Sequence, residues 1–348
     1  MMNPVHFEDC SFLNLQAYFS SHPFSSVYVL ADENIVLHCY PKIVSYFPPH
    51  RVIQIKSGEE NKSISTCEIV WQKLTAANAD RKTLLINLGG GVIGDMGGFA
   101  AGCYKRGIKF INIPTTLLAM VDASVGAKCG IDFMRYKNQI GLFNEPEAVF
   151  IYTDFLETLP ERELRSGFAE VIKHYLIADK DAFEEVRSQK SEVSSIKWDT
   201  VVRKNVAIKQ QIVEQDPTEQ SIRKALNFGH TVGHALESFF LNEKQQKLLH
   251  GEAVAIGMVC ESFISYRKGL LKDHELQQIA EVVLQYFNHT YIAEQHFKSI
   301  TKLIAQDKKN EADETCFTLL SGIGSYTINQ LVEKDLIRES LVYFNSLH

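Results

Sequence analysis

Up to about residue 155 the chain alternates short β-branched runs with helical stretches, and this alternation limits the possible folds more than any other feature. Residues 27–30, 52–55, 84–88 and 110–113 read as buried strands, with helices expected at 64–77 and 92–103. Continuous apolar strands separated by helices imply a parallel sheet covered on both faces. From Leu159-Pro160 onward the texture changes, and long helix-like segments at 161–177, 193–214, 222–241, 252–269 and 274–287 dominate. Only 315–320 and 324–328, about Ser321-Gly322-Ile323, predict a late hairpin. A boundary near residue 160 therefore divides an N-terminal Rossmann-like α/β domain, 1–160, from a mostly α-helical domain, 161–348. A chain of 348 residues exceeds the usual size of a single core, in keeping with two domains.

The strand at 84–88 runs directly into Gly89-Gly90-Gly91-Val92-Ile93-Gly94-Asp95, a G-x-G-x-x-G turn between a strand and a helix. Glycines there admit a pyrophosphate close to the backbone, and the helix N-terminus offers free N–H groups to its charge. The turn follows the third strand signal rather than the first. An acidic partner for a ribose is therefore expected upstream, in Ala31-Asp32-Glu33-Asn34 or Ser57-Gly58-Glu59-Glu60-Asn61-Lys62, both at carboxyl ends of strands.

In the helical half, Asn227-Phe228-Gly229-His230-Thr231-Val232-Gly233-His234 sets two imidazoles at i and i+4, and His250 opens the next helix in Leu249-His250-Gly251-Glu252. With Glu170, in Gly167-Phe168-Ala169-Glu170-Val171-Ile172-Lys173, they make an oxygen-plus-nitrogen donor set for a divalent metal that keeps a coordination position open. Taken alone, a His-x3-His pair is commonly a packed or solvated helix face. Here Lys209, Arg223 and Asn227 stand in otherwise apolar, helical-reading sequence, which points to an anionic ligand, because buried cations need partners. Tyr104-Lys105-Arg106-Gly107, the stretch from Pro114 to Lys128, and Tyr136-Lys137-Asn138 likewise interleave cations with Gly and Asn, as a phosphate pocket requires.

The net charge of -6 argues against a nucleic-acid or anionic-membrane partner, so an anionic metabolite must be met by a local basic pocket. Seven dispersed cysteines, with no Cys-x-x-Cys, fit reduced thiols in a cytoplasmic protein. The first ten residues carry Asn3, His6, Glu8 and Asp9, unlike a signal peptide, and no apolar run is long enough to span a bilayer.

The order G-G-G-x-x-G-D, R-G, P-T-T-L-L-A-x-V-D, K-N, G-F-A-E-V-I-K, N-F-G-H-T-x-G-H-A-x-E, H-G-E and D-K-K, between Asp32 and Gly324, resembles the 3-dehydroquinate synthase family. The resemblance implies a dehydroquinate synthase-like fold and a homodimer with one NAD per subunit. It further implies zinc or cobalt on Glu170, His230 and His250, with His234, Lys173, Lys209, Arg223 and Asn227 as substrate-binding and proton-handling groups. Asp122, Lys128, Asn138, Lys308 and Lys309 match positions around the substrate, and Arg106 reaches the phosphate from the partner subunit. Asp32, Asn34, Glu59, Lys62, Gly90, Gly91, Val92, Asp95, Thr115, Thr116, Leu118, Asp122, Lys137, Thr158 and Leu159 match nucleotide contacts.

The implied reaction converts 3-deoxy-D-arabino-heptulosonate 7-phosphate to 3-dehydroquinate and phosphate, by transient NAD-dependent oxidation, elimination, reduction and intramolecular aldol closure. It belongs to the shikimate pathway of aromatic amino acid biosynthesis. Ala123 and Ala127 depart from the family's usual Ser and Gly, and segment 241–249 is longer by about four residues, which a surface loop absorbs at small entropic cost. Other sugar-phosphate cyclases (aminodehydroquinate, valiolone or scyllo-inosose synthases) share most of these motifs. The phosphate-binding cations fit a metal-dependent alcohol or glycerol dehydrogenase less well, and the intact donor set fits a catalytically silent NAD-binding protein less well.

Overall fold

A computed structural model describes residues 4–134, 136–189, 192–241, 247–305 and 314–347. They form two compact units, Met1–Pro160 with Lys197–Gln210, and Glu161–Ile196 with Gln211–His348.

The first unit is built on strands β1 (Val5–Phe7), β2 (Val27–Asp32), β3 (Arg51–Ile55), β4 (Leu84–Gly89), β5 (Lys109–Pro114), β6 (Lys128–Phe133), β7 (Tyr136–Phe143) and β8 (Val149–Ile151). Its helices are α1 (Leu13–Ser21), α2 (Glu33–His38), α3 (Tyr40–Ile43), α4 (Ile64–Ala76) and α5 (Gly91–Cys103). Six strands form one sheet in the order β1-β8-β5-β4-β2-β3, and every ladder in it is parallel. All residues of β4 are buried, as are the first five of β2, as a sheet covered on both faces demands. Leu30, Ile53 and Leu85 meet Val70 and Leu74 of α4 and Met96 and Phe99 of α5 in one core. Each such large side chain contributes roughly 1.5–3 kcal/mol by leaving water.

Sequence reading misses β1 and β8. Each has three residues and is defined by pairing, Val5 opposite Val149, more than by its own pattern. With β1 present, the glycine turn follows the fourth strand. The chain steps from β2 outward to β3 and then returns to β4 on the other side of β2, so strand order reverses between β2 and β4. Ligands of open α/β sheets bind at the carboxyl ends of such a reversal. Asp32 ends one of these strands and Gly89 the other. The sequence reading assigns no strand between Lys128 and Phe143, where the structure forms the antiparallel hairpin β6–β7.

The second unit contains α6 (Glu161–Ala178), α7 (Lys180–Ser188), the end of α8 (Trp198–Gln215), α9 (His230–Phe240), α10 (His250–Arg267), α11 (Asp273–Tyr286), α12 (Glu294–Ala305), the hairpin β9 (Glu314–Gly322) and β10 (Ser325–Glu333), and α13 (Lys334–Asn345). Helix α10 is its centre, buried from Ala253 through Ser262 and packed by α6, α9, α11 and α13. A helix apolar on all sides belongs in such a position. Two of the expected helices are broken. Residues 193–195 form a separate turn before α8. Residues 222–241 split into a 3-10 segment, Ile222–Asn227, and α9, because Gly229 adopts φ +80° and stops the first helix. The late hairpin is longer than the sequence signal, since its flanking residues pair despite their polarity.

Candidate active site

In the first unit, Gly90 is the N-cap of α5, and no side chain among the described residues caps this helix. Its first N–H groups are thus available to an anion. An added Cβ at Gly90 would come within 3.0 Å of Thr116, and at Gly91 within 3.7 Å of Leu118 and 3.4 Å of Ala123. At Gly94 an added Cβ would meet nothing within 4 Å among the described residues. Protein packing therefore does not require glycine at position 94, whereas a flat ligand lying on the turn would.

Beside this turn, Lys62 is almost fully buried, and its Nζ donates to Asp95 Oδ2 at 2.5 Å and to Asn138 Oδ1 at 2.6 Å. Burial alone would depress the ammonium, but Asp95 and Glu59 outweigh it and hold the pKa above its ordinary value. Glu59 pairs with Lys137 at 2.9 Å. The structure thus gathers Glu59, Lys62, Asp95, Lys137 and Asn138 into one charged network, and the Asn138 carboxamide belongs to it. Asp32 caps α2 by accepting the Ile35 N–H at 2.9 Å, and burial raises its pKa. Asn34 follows in the first turn of α2. Thr115 is buried at the end of β5, and its N–H donates to the Gly89 carbonyl. Thr158 and Leu159 close the 3-10 segment Thr153–Thr158.

Lys209, on the part of α8 that belongs to the first unit, donates from Nζ to the Asp122 carbonyl at 2.6 Å and to its Oδ1 at 2.7 Å. Lys128 is exposed at the start of β6, and Arg106 is exposed with φ +66°. Lys308 and Lys309 lie outside the described residues.

In the second unit, Glu170 is completely buried and both its oxygens are sealed from solvent without a well-formed hydrogen bond. Lys173 Nζ lies against Oε2. On the other side, His230 Nε2 and His250 Nε2 each stand 3.4 Å from Oε1. Two donors bound at about 2.0–2.1 Å to a tetrahedral zinc are separated by roughly 3.3–3.4 Å, so the spacing is that of ligand atoms around one ion. The second ring nitrogens fix the direction of approach. His230 Nδ1 faces the Phe228 carbonyl at 3.1 Å and His250 Nδ1 faces Glu237 Oε2 at 3.0 Å, arrangements that leave each Nε2 lone pair for a metal. His234 joins them, with the ligand-capable nitrogens of all three imidazoles within 4.8 Å of one another. An NNO donor set with an adjacent imidazole fits a catalytic divalent ion.

The electrostatics agree with that fit. Burial would raise the Glu170 pKa, but Lys173 and the two imidazoles hold it well below the carboxylate range. Burial lowers His230. Burial would also lower His250, but Glu237 and Glu170 outweigh it and lift it to about 9. Glu170, His230 and His250 would hold a divalent ion in competition with the proton that the Glu237 and Glu170 carboxylates favour on His250.

Residues to which the sequence reading gives no role hold this arrangement. Glu252 accepts the Leu249 N–H at 2.8 Å, closing the first turn of α10 under His250. Arg162 grips Glu252 through two contacts of 2.7 Å and donates to the Lys247 carbonyl at 2.7 Å. Asp216 accepts backbone N–H groups of Gln220, Ser221 and Arg223, shaping the loop that carries Arg223. Arg223 Nη1 donates to the Pro217 carbonyl, and Asn227 Nδ2 to Glu219 Oε1, each at 2.5 Å. Glu237 was visible as the glutamate one turn after His234, but its partner lies across a helix interface that sequence spacing does not reveal.

Comparison with known proteins identifies the family. The family model for the N-terminal part of 3-dehydroquinate synthase matches residues 52–166, and that for the C-terminal part matches 167–310. The 3-dehydroquinate synthase of Parabacteroides distasonis is 41% identical over 334 residues, covering 95% of this chain and 94% of its own length. That of Campylobacter concisus is 41% identical over 84% of each chain. Among solved structures, 2-epi-5-epi-valiolone synthase from Streptomyces hygroscopicus, with NAD+ and Zn2+ bound, is 26% identical with a TM-score of 0.85, covering 99% of this chain and 97% of its own. A 2-deoxy-scyllo-inosose synthase complexed with carbaglucose-6-phosphate, NAD+ and Co2+ is likewise 26% identical at TM-score 0.85, covering 97% and 95%. With two family models covering the donor residues and the glycine turn, and relatives of this identity along nearly its whole length, the chain belongs to the 3-dehydroquinate synthase family.

Proposed function

We propose that this chain converts 3-deoxy-D-arabino-heptulosonate 7-phosphate to 3-dehydroquinate and phosphate, as a cytoplasmic homodimer, with the first unit binding NAD and also carrying phosphate-pocket residues, and the second binding the metal and substrate. The observation that carries the reading is the convergence of Glu170, His230 and His250 at ligand spacing beside His234, in a chain whose other unit presents an uncapped glycine turn. When bound, NAD supplies a reversible hydride acceptor and zinc or cobalt a Lewis-acid contact for a hydroxyl.

The chain's own groups do the rest. His234 takes the hydroxyl proton on a ring nitrogen and, with Lys209 and Asn227, relays it onward. Asn227 is held for this by Glu219, and Lys209 by Asp122. Lys128, Arg223, Lys308 and Lys309 recognise the carboxylate and phosphate, and Arg106 completes the phosphate pocket of the partner subunit. A guanidinium suits that task, because its planar fork binds two phosphate oxygens at once. The exposure of Arg106 supports a role outside its own core.

The test is to mix the pure protein with the heptulosonate phosphate, zinc and a small amount of NAD. Phosphate and dehydroquinate should accumulate well beyond the NAD added, without matching growth of reduced cofactor. One product per NAD would indicate a dehydrogenase, and turnover only with a sugar phosphate lacking the carboxylate would indicate another cyclase. Subunit sharing is tested by mixing Arg106→Ala with Lys209→Ala. Heterodimers contain one fully wild-type site and should regain activity, whereas no recovery in proven heterodimers would place Arg106 in its own subunit's site.

A further inference from the structure

Helix α9 begins inside the protein without the side-chain cap that a buried helix start needs. Its N-cap, Gly229, has no side chain to offer, while Phe228 and Val232 on either side of His230 are fully buried. N–H groups at such a terminus must find acceptors or lose the free energy of a hydrogen bond. They find them on another helix. Glu261 of α10 is completely buried, and its Oε2 accepts the Gly229 N–H at 2.6 Å while its Oε1 accepts the Val232 N–H at 3.0 Å. One turn earlier on α10, Gly257 lets the helices touch. An added Cβ there would lie 2.9 Å from both Gly229 C and Gly233 N.

The Gly229 N–H and the Phe228 carbonyl are the two ends of one planar peptide unit. Glu261 holds the first end, and the second faces His230 Nδ1 at 3.1 Å. Fixing the N–H therefore fixes the carbonyl that sets the tautomer and ring plane of His230, and hence the direction of its Nε2. A hydrogen bond to the N–H also polarises the peptide and strengthens its carbonyl as an acceptor.

We propose that Glu261 is a positioning residue of the metal centre, acting through the Phe228–Gly229 peptide to aim His230 Nε2 at the metal. The inference rests on the metal-binding reading of Glu170, His230 and His250. It does not depend on the charge state of Glu261, because a carboxyl group presents two acceptor oxygens whether or not it carries a proton, whereas a carboxamide presents one.

The test is Glu261→Gln. The glutamine can satisfy the Gly229 or the Val232 amide but must turn an NH2 group toward the other. Zinc affinity, measured by competition with a chromophoric chelator, should fall on the order of 10-fold, as when a group supporting a ligand histidine is lost. The visible spectrum of the cobalt-loaded protein should shift, and NAD binding should match the wild type. Wild-type zinc affinity and an unchanged cobalt spectrum in a folded Glu261→Gln protein would overturn the proposal.

If Glu261→Gln folds poorly, Glu261→Asp carries the test. It keeps both oxygens on a shorter arm and should fold with an intermediate loss of affinity, whereas unchanged affinity would overturn the proposal. Failure of both variants to fold would also overturn it, by making Glu261 a support of the core and not of the site. If the wild-type protein itself binds no stoichiometric zinc, it is the metal-binding reading that fails.

Discussion

Gly251→Ala offers a test in which local helix preference and packing predict opposite signs. Gly251 follows His250 in the first turn of α10, where alanine is intrinsically better than glycine by about 1 kcal/mol. The structure gives the reverse expectation. A Cβ at Gly251 would fall inside the van der Waals surface of the Ser166 carbonyl, 2.5 Å from its carbon and 2.7 Å from Ser166 Cα. All of these are backbone atoms of α6, so no side chain can rotate away. Ordinary carbon contacts lie at about 3.5–4.0 Å, so the helices must part by roughly 1 Å.

Such overpacking costs about 1–3 kcal/mol, and the parting also strains the hydrogen bond from Gly251 N–H to Ser166 Oγ at 3.0 Å. The net expectation is a loss of about 1–2 kcal/mol after the helix-propensity gain. Its direction matters more than its size. Ser166 lies one turn before Glu170, so separating α6 from α10 moves Glu170 away from His250. Metal sites tolerate only about 0.2 Å of error in ligand distance, and zinc affinity should fall at least 10-fold with NAD affinity unaltered. Denaturant unfolding of the apo-protein and zinc competition measure the two effects. A Gly251→Ala protein at least as stable as wild type, with wild-type zinc affinity, would refute the close approach of these helices as the reason for glycine.

Gly94→Ala should cost little stability, since its Cβ has open space, yet weaken NAD binding measured by calorimetry; unchanged NAD affinity would remove Gly94 from the nucleotide surface. Ala127 sits at φ +62°, a conformation costing an L-residue about 1–2 kcal/mol, so Ala127→Gly should leave stability unchanged or raise it by up to about 1 kcal/mol. A larger loss in denaturant unfolding would contradict the left-handed backbone. Burial pushes the Glu261 carboxyl from the usual carboxylate range up to about 8, against the pull of amide donors. A group raised in the folded state contributes stability that is complete below its unfolded pKa and lost as pH rises through the folded one. Apo wild type should therefore lose stability relative to Glu261→Gln between about pH 4.5 and 8, by at most about 1.4 kcal/mol per pH unit, and a difference independent of pH would exclude the shift.

Strands β2 to β5 were legible because each carries its own burial in a run of apolar residues, and the glycine turn because its residue types are needed locally. Glu170, His230 and His250 stood out because ionisable groups in apolar helices need a reason to be there. The break at Gly229 was not legible. Helical periodicity continues on both sides of it, and the close passage of Gly229, at φ +80°, against Gly257 is a long-range fact. The hairpin β6–β7 was hidden because Lys128, Lys137 and Asn138 read as pocket residues and not as strand, while the cross-strand pairing of Ile131 with Ile140 is a long-range fact. The return of Lys197–Gln210 to the first unit left no mark on a helical pattern that runs through residue 210 without interruption.

The supports of the metal centre were the least legible part, for a common physical reason. Glu237, Glu252 and Glu261 each act on a backbone group or ring nitrogen more than ten residues away or across a helix start, and in a sequence a glutamate in a helix reads as a solvated face. Burial separates two of them from that reading, Glu261 wholly inside and Glu237 nearly so, while Glu252 is half-buried and held by Arg162. A carboxylate survives there only where N–H donors or an imidazole meet it, because an unpaired one costs several kcal/mol. Each of these glutamates is met by a group that belongs to, or adjoins, one of the histidines proposed to bind the metal. The placement of the imidazoles thus follows from how buried acids on α9 and α10 are satisfied, and replacing those acids should disturb the metal before it disturbs the nucleotide.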